Sequence, residues 1–514
     1  MRIVHLVAGA GGMYCGSCLH GNTLVAAQRR AGVDALLLPM YTPLRTDEPS
    51  QSVNRIVFGG VSVYLQQRFP LLRRTPWLLD RLWDRPALLG WLARRSSTTN
   101  AGELGDLCVS MLQGPEGRQR KELEKLVRLL DQQFQPDVIH LNNALLLGTA
   151  GELRRRLGTR VVCSLTGEDS FVEKLPGPWR ERAWDLLRQQ AVHCDAMIAM
   201  NAYYADLMAD RLQVPRERIE VIPPGISTDG YPPQPPEEGR AEGTNLSPRP
   251  MGEGPGVRAP NLSPRPMGEG PGVRARPIRI GTLARVCPDK GLHLAAEALI
   301  HLHVAEQPGT ITGSTVQHWQ NANSTEHGAD CGGVEQRRAS PAAKWPTSNI
   351  LRPASSVSFE LHAAGFLDPA ERGYLESIQR RLADAGLAER FVYHGELDRP
   401  GKIALLQSLD VFCLPTVFPE SKGLSVLEAW AAGVPAVLPR LGAFPEMIAD
   451  SGAGVLHEPN DAQSLAEAIV GLISDAELEA RCRCGASEAI ARIHSDDLMA
   501  RRTVEVYERI TRGT

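Results

Sequence analysis

The sequence predicts an α/β protein: two doubly wound, Rossmann-like parallel-sheet domains facing each other across a cleft. Three observations carry this expectation. Short, continuously apolar runs bounded by turn residues alternate with amphipathic helical patterns, as strands covered on both faces do. The alternation stops once, in a Pro- and Gly-rich stretch near the middle of the chain, and then resumes in the same style. When two aperiodic segments are set aside, roughly four-fifths of the 514 residues remain, too many for one core and a natural size for two.

The first series of strands is expected at Arg2–Ala8, Ala35–Tyr41, Asp137–Leu141, Arg160–Leu165, Ala196–Asn201 and Glu220–Pro223. Helical patterns lie between them, as at Lys121–Phe134, Pro178–His193 and Tyr203–Leu212. The first run carries one basic residue and reaches Gly9 at once, so it reads as a strand and not as an export signal. The second series runs through Arg279–Leu283, Glu360–Ala364, Phe391–His394, Val411–Pro415 and Ala436–Pro439, with a helix over Leu292–His303. The expected domains are therefore 1–228 and 277–497, with a last helix near Leu498–Ile510.

Two segments stand outside this pattern. Asn245–Pro260 is repeated as Asn261–Arg276 with only the final residue changed, and 20 of the 48 residues from Asp229 to Arg276 are Pro or Gly. Such a chain buries too little to offset its ordering entropy, so 229–276 is expected to be a disordered insert. A second insert is expected over 306–355, rich in Ser, Thr, Asn, Gln and Gly and without helical or strand period.

Composition excludes several classes. With 56 Lys+Arg against 59 Asp+Glu the net charge is −3, which argues against a nucleic-acid binder. No apolar run approaches the roughly 18 residues of a membrane span. Ten cysteines are too sparse for a disulfide scaffold and are expected to be reduced, in the cytoplasm. The stretch 71–95 sets Arg73, Arg74, Arg81, Arg85, Arg94 and Arg95 against Asp80 and Asp84, with Trp77, Trp83 and Trp91 interleaved. It reads either as helices packed on the first domain or as a peripheral contact with an anionic membrane face.

In doubly wound sheets ligands bind at the carboxyl ends of strands, so the chemistry is expected in the loops there. Phe418-Pro419-Glu420-Ser421-Lys422-Gly423-Leu424 follows an apolar strand and opens a helix that contains Glu428 and ends near Gly433 and Pro435. Helix-start amides at Gly423 and Leu424, with the charge of Lys422, make an anion site. Glu420 and Glu428 flank it as hydroxyl-binding carboxylates. The loop after Arg279–Leu283 carries Arg285 and Lys290 ahead of Gly291, two cations suited to a pyrophosphate. Taken alone, each loop also reads as a solvated, charged helix start.

Together, Arg285…Lys290-Gly291 and Glu420-x7-Glu428 within Glu-x-x-Gly-Leu-x-x-Leu-Glu-Ala resemble the retaining glycosyltransferases of family 4, with the GT-B fold. Val221-Ile222-Pro223-Pro224-Gly225-Ile226 is similar to the family's strand leading into the interdomain linker. The resemblance implies transfer of a sugar from a nucleoside-diphosphate-sugar to an acceptor hydroxyl with retention. In it Arg285 and Lys290 hold the diphosphate, and Glu420 holds the transferred sugar. Glu428 binds the ribose, and Lys422, Gly423 and Leu424 assist at the phosphate. Gly11 and Gly12, in the loop after the first strand, are implied near the donor. The last helix is implied to cross back to the first domain. No Asp-x-Asp occurs, so no metal and no cofactor besides the donor substrate are expected.

The family often places a His after the fourth strand, where this chain has Thr166, followed by Glu168 and Asp169. Either carboxylate is a candidate to orient or deprotonate the acceptor, and His140 with Asn142 and Asn143 is a candidate to line the same cleft. A capping role for Asp169 is the plainer alternative. The acceptor is expected to be a glycan or a lipid-linked molecule. Cys15-Gly-Ser-Cys18 has redox or metal spacing, but a zinc site needs two more ligands and Cys482-x-Cys484 has the wrong spacing. It reads as a loop thiol pair without a catalytic task. The rivals are a nucleotide-sugar epimerase or hydrolase and a catalytically silent binding protein. A nicotinamide oxidoreductase is disfavoured, because Gly9-x-Gly11 is followed by Tyr14 where the dinucleotide fingerprint needs Gly.

Overall fold

The computed structural model describes residues 1–9, 15–53, 101–232, 276–306 and 358–513. Gly11, Gly12 and the stretch 71–95 lie outside the described residues. So do the expected inserts 229–276 and 306–355, apart from 229–232, 276 and 306.

The strands are β1 (Arg2–Val7), β2 (Asp34–Pro39), β3 (Val138–Leu141), β4 (Arg160–Leu165), β5 (Ala196–Ala199) and β6 (Ile219–Val221). They form one parallel sheet in the order β2-β1-β3-β4-β5-β6. β7 (Ile278–Leu283), β8 (Phe359–Ala364), β9 (Phe391–Tyr393), β10 (Val411–Cys413), β11 (Ala436–Pro439) and β12 (Gly454–His457) form a second, in the order β12-β11-β10-β7-β8-β9. Strand direction of progress reverses between β1 and β3 in one sheet and between β7 and β10 in the other. Those two switch points are where a doubly wound sheet opens a crevice.

Alternation along the strands sorts each sheet into two faces. In the first sheet, Val4, Leu6, Ile139, Leu141, Val161 and Cys163 pack under helices that include Ala101–Leu112, Gly177–Ala191 and Ala202–Leu212. Ile3, Val138, Val162 and Ile198 face the helices Gly16–Arg30 and Asp496–Arg512. The second sheet buries Ile280, Leu361, Val411 and Val437 against Leu292–Glu306 and Ala462–Ser474. Its other face buries Phe412, Leu438 and Trp430 with Leu424–Ala431 and Ala476–Arg492.

The chain passes between the sheets twice, side by side. The Ile226 amide donates to the His494 carbonyl (3.0 Å), and the Pro224 carbonyl pairs with the His494 ring (2.9 Å). From there the last helix, capped by Ser495, lies on the first sheet, where Met499, Val506 and Tyr507 are buried.

Several expectations shift. Residues 16–18, read as loop, are the first turn of the helix Gly16–Arg30, and the expected helix 121–134 ends as a π-helical turn over Leu130–Phe134. β12 and the helix Ala462–Ser474 were not expected, although the Asp461 side chain caps that helix. The correction that bears on function concerns His140. It shares the face of Val138, so period-two alternation turns it away from the cleft and under the last helix. It is 0% exposed, paired with the Tyr507 hydroxyl and, at 2.7 Å, with Ser164. Burial holds its imidazole well below its ordinary pKa.

Tyr507→Phe leaves one nitrogen of a buried, neutral imidazole without its partner. Urea unfolding of this variant is expected to show a loss of about 1–3 kcal/mol, with no change in the dependence on denaturant concentration.

Candidate active site

Two left-handed glycines shape the sequence-predicted loops, and the first brings them together. Gly291, after β7, has φ +71° and a Cβ there would lie 1.7 Å from the Pro415 carbonyl oxygen. Gly423, after β10, has φ +65° and a Cβ there would lie 2.7 Å from Met447 Sδ. Only glycine tolerates both the left-handed backbone and the approach. With the loops of neighbouring strands joined this way, Lys290 Nζ donates to Glu420 Oε2 at 2.5 Å across 130 residues of sequence.

Glu420 Oε1 also accepts from the amides of Ser421 (3.2 Å) and Lys422 (3.4 Å). Burial alone would raise this carboxyl, but the ammonium groups of Lys290 and Lys422 outweigh it and hold the pKa at about 2. Burial works against the Lys290 charge too, and Glu420 more than restores it, so its pKa is raised. Arg285 is exposed and has no hydrogen-bond or ion-pair partner among the described residues. The helix Leu424–Ala431 begins at Gly423 without a side-chain cap, leaving its first amides for a ligand or water.

Lys422 has a further task. It reaches out of the second sheet's loop to donate to the Thr166 carbonyl (2.5 Å) and the Ser17 hydroxyl (3.2 Å) of the first. Asn201 Nδ2 donates to the Ser421 carbonyl (2.8 Å), and both oxygens of Glu446 accept from the amides of Ala202 and Tyr203 (2.8 and 2.9 Å). The carboxyl ends of the two sheets thus face each other, joined by polar contacts.

Glu428 is engaged as well. Lys402, from the helix Arg399–Ser408, pairs with Glu428 and with Asp47 of the first domain, all three buried. Burial raises the Glu428 pKa, Lys402 opposes the rise and Asp47 adds to it. Beside them Arg399 faces Glu48 at 3.5 Å and donates to the Ser227 and Asp229 carbonyls (both 2.9 Å). Sequence reading missed Lys402, Asp47 and Glu48. Their partners come from three distant elements, and the one available sign was a lysine set among Ile403, Leu405 and Leu406.

On the first sheet's side of the cleft the two carboxylates divide. Glu168, 1% exposed, accepts from the amides of Thr166 (2.8 Å) and Ala144 (2.8 Å) and the Thr166 hydroxyl (3.1 Å), so it is spent on holding the turn. Asp169, 7% exposed, meets the Tyr204 hydroxyl at 2.8 Å, and the same hydroxyl lies 3.0 Å from Glu168. One phenolic proton therefore serves two carboxylates. Burial raises the Asp169 pKa, as suits a base. The Thr166 side chain turns inward to Asn143, which donates to it at 3.0 Å, so Thr166 offers the cleft its carbonyl and no side chain.

Comparison with known proteins places this arrangement. The group 1 glycosyl transferase profile matches residues 350–488, and the Glycosyltransferase Family 4 profile matches residues 109–229. The chain belongs to the family 4, group 1 glycosyltransferases. The chain is 35% identical over 132 residues to the phosphatidyl-myo-inositol mannosyltransferase of Mycobacterium leprae, covering 26% of this chain and 35% of that protein. It is 29% identical over 143 residues to the D-inositol 3-phosphate glycosyltransferase of Paenarthrobacter aurescens, covering 28% of this chain and 34% of that one. The matched part spans about a third of the length of these curated relatives. Among solved structures, sucrose-phosphate synthase from Thermosynechococcus elongatus superposes over the whole of both chains with a TM-score of 0.60 at 14% identity. Anabaena HepE in complex with UDP and glucose gives 0.56 at 15% identity, over 99% of each chain. At these identities the likeness is one of fold: two Rossmann-like domains in the GT-B arrangement.

The depressed Glu420 pKa has a sign. Because the folded value of about 2 lies below the ordinary 4.5, its stabilisation is present above pH 4.5 and is lost as pH falls toward 2. Melting temperatures of the wild type and Glu420→Gln are expected to differ most near neutrality and to converge as pH falls through that window.

Proposed function

We propose that the protein transfers a sugar from a nucleoside-diphosphate-sugar to an acceptor hydroxyl, with retention of configuration and without a required metal. The observation that carries this reading is the Lys290–Glu420 pair beside the open helix start at Gly423, built from loops at the switch point of the second sheet. Positive charge from Arg285, Lys290 and the helix amides suits a departing diphosphate, where fixed dipoles and charges lower the barrier most. That charge is what a divalent cation supplies in other designs. Glu420, held ionised, accepts hydrogen bonds from the sugar hydroxyls, and Glu428 is assigned to the ribose hydroxyls. Asp169 is the carboxylate that orients the acceptor hydroxyl, since Glu168 is committed to its turn.

A lipid-linked acceptor is in keeping with relatives named for phosphatidyl-myo-inositol. No helix among the described residues is long and apolar enough to cross a membrane, so such an acceptor would be met at a surface.

The test is thermal unfolding and product formation with UDP-, GDP- and ADP-sugars in EDTA. One nucleotide class is expected to raise the melting temperature by mass action. Arg285→Ala is expected to remove that shift and to lower turnover about 10²–10³-fold. No shift with any nucleotide would sink the donor-site assignment.

A further inference from the structure

The Cys15-Gly-Ser-Cys18 pair is not used by the proposed reaction, and its surroundings are those of reactive thiols. Cys15 is the N-cap residue of the helix Gly16–Arg30, and its carbonyl accepts the Leu19 amide at 2.9 Å. Cys18 follows in the first turn, 2% exposed, while Cys15 is half-buried at the edge of the cleft. Spacing of three places the two on one side of the helix start. Lys422 crosses from the other domain to Ser17 between them, and its Cε would lie 3.5 Å from a Cβ on Gly16. The helix start and the ammonium both favour an anion at Cys15.

We propose that Cys15 and Cys18 are a reversible dithiol–disulfide pair whose oxidant is a low-molecular-weight disulfide of the glutathione class. The Cys15 thiolate attacks one sulfur of the oxidant, the oxidant's S–S bond breaks, and a thiolate leaves and is protonated. The Cys18 thiol gives up its proton and attacks Cys15 Sγ, breaking the mixed disulfide and releasing the second thiol. Two electrons pass from the protein to the oxidant. Oxidation removes the anion beside Lys422 and ties the helix start to its own N-cap.

The division of labour agrees with the electrostatics. A hydrogen bond from Cys18 lowers the Cys15 pKa to about 5, burial opposes the drop, and Lys422 adds to it. Cys18 is raised, chiefly because it donates that bond. Cys108, Cys163, Cys413 and Cys482 are raised by burial, and exposed Cys484 is raised by its bond to Glu488. Of these thiols only Cys15 is lowered. The titratable groups that act on it are Cys18 and Lys422.

Two measurements on the full chain test this. In a glutathione redox buffer, the tryptic peptide Ile3–Arg29 is expected to lose two hydrogens and regain them with excess reduced glutathione. Cys18→Ser is expected to accumulate the glutathione adduct on Cys15. On the unmodified protein, iodoacetamide labelling followed residue by residue is expected to be nearly flat at Cys15 from pH 6 to 8. At Cys484 it is expected to rise about 100-fold, as an ordinary thiol's does. At pH 6 Cys15 is expected to react roughly tenfold faster, its higher thiolate fraction outweighing the lower nucleophilicity of an acidic thiol. Rates at Cys15 and Cys484 that climb in parallel would overturn the proposal. So would a Cys15 that stays reduced where Cys484 is glutathionylated.

Discussion

The pairing of Lys290 with Glu420 is the contact on which the rest of the site depends. A buried carboxylate without a counter-charge takes up a proton, and a buried lysine loses one. Here each keeps the other charged, at a place where β7 and β10 end side by side. The geometry has two backbone prerequisites: the left-handed Gly291, which lets the loop after β7 close on Pro415, and the left-handed Gly423, which packs its own loop against Met447. Arg285 remains at the exposed edge of the same loop, so the site holds a satisfied cation inside and an unsatisfied one at its mouth.

The same logic extends across the cleft. Each sheet has its own apolar cores, and the contacts described between the facing loops are polar: Lys422 to Thr166, Asn201 to Ser421, Glu446 to the amides of Ala202 and Tyr203, Lys402 to Asp47. Polar interfaces of this kind exchange their partners for water or ligand at smaller cost than an apolar core. The backbone is joined at the two crossings, where Ile226 pairs with the chain at Ser495 and the last helix returns to seal the first sheet over Tyr507. The halves are held together at their back and meet through charges at their mouth.

Part of the candidate site was legible in the sequence. Arg285, Lys290, Glu420, Gly423 and Glu428 were readable because each motif is local: a strand end, a turn and a helix start within about a dozen residues. Lys402, Asp47 and Glu48 were not, because a buried ion triad drawn from three elements leaves no periodic or spacing signal. His140 was misassigned because its position at a strand's end was weighed ahead of its face, and face is set by register with its neighbours. Glu168 and Asp169 looked equivalent in sequence and are separated by one residue's turn of the backbone. That turn commits the first to backbone amides and leaves the second beside Tyr204.

Sequence alone determined the class of the fold and which charged residues stand at its strand ends. Alternating apolar strands and amphipathic helices have few ways to bury their faces, and charged helix starts at strand ends have few uses. Tertiary structure decided which charges meet. It put Lys422 across the cleft, buried Glu428 with Lys402 and Asp47, sent His140 under the last helix, and set Cys15 and Cys18 beside an ammonium from the opposite domain. The physical reason is that strand and helix patterns report what a residue does relative to its own element. Electrostatic partnership depends on distances between elements, and only the closed chain sets those.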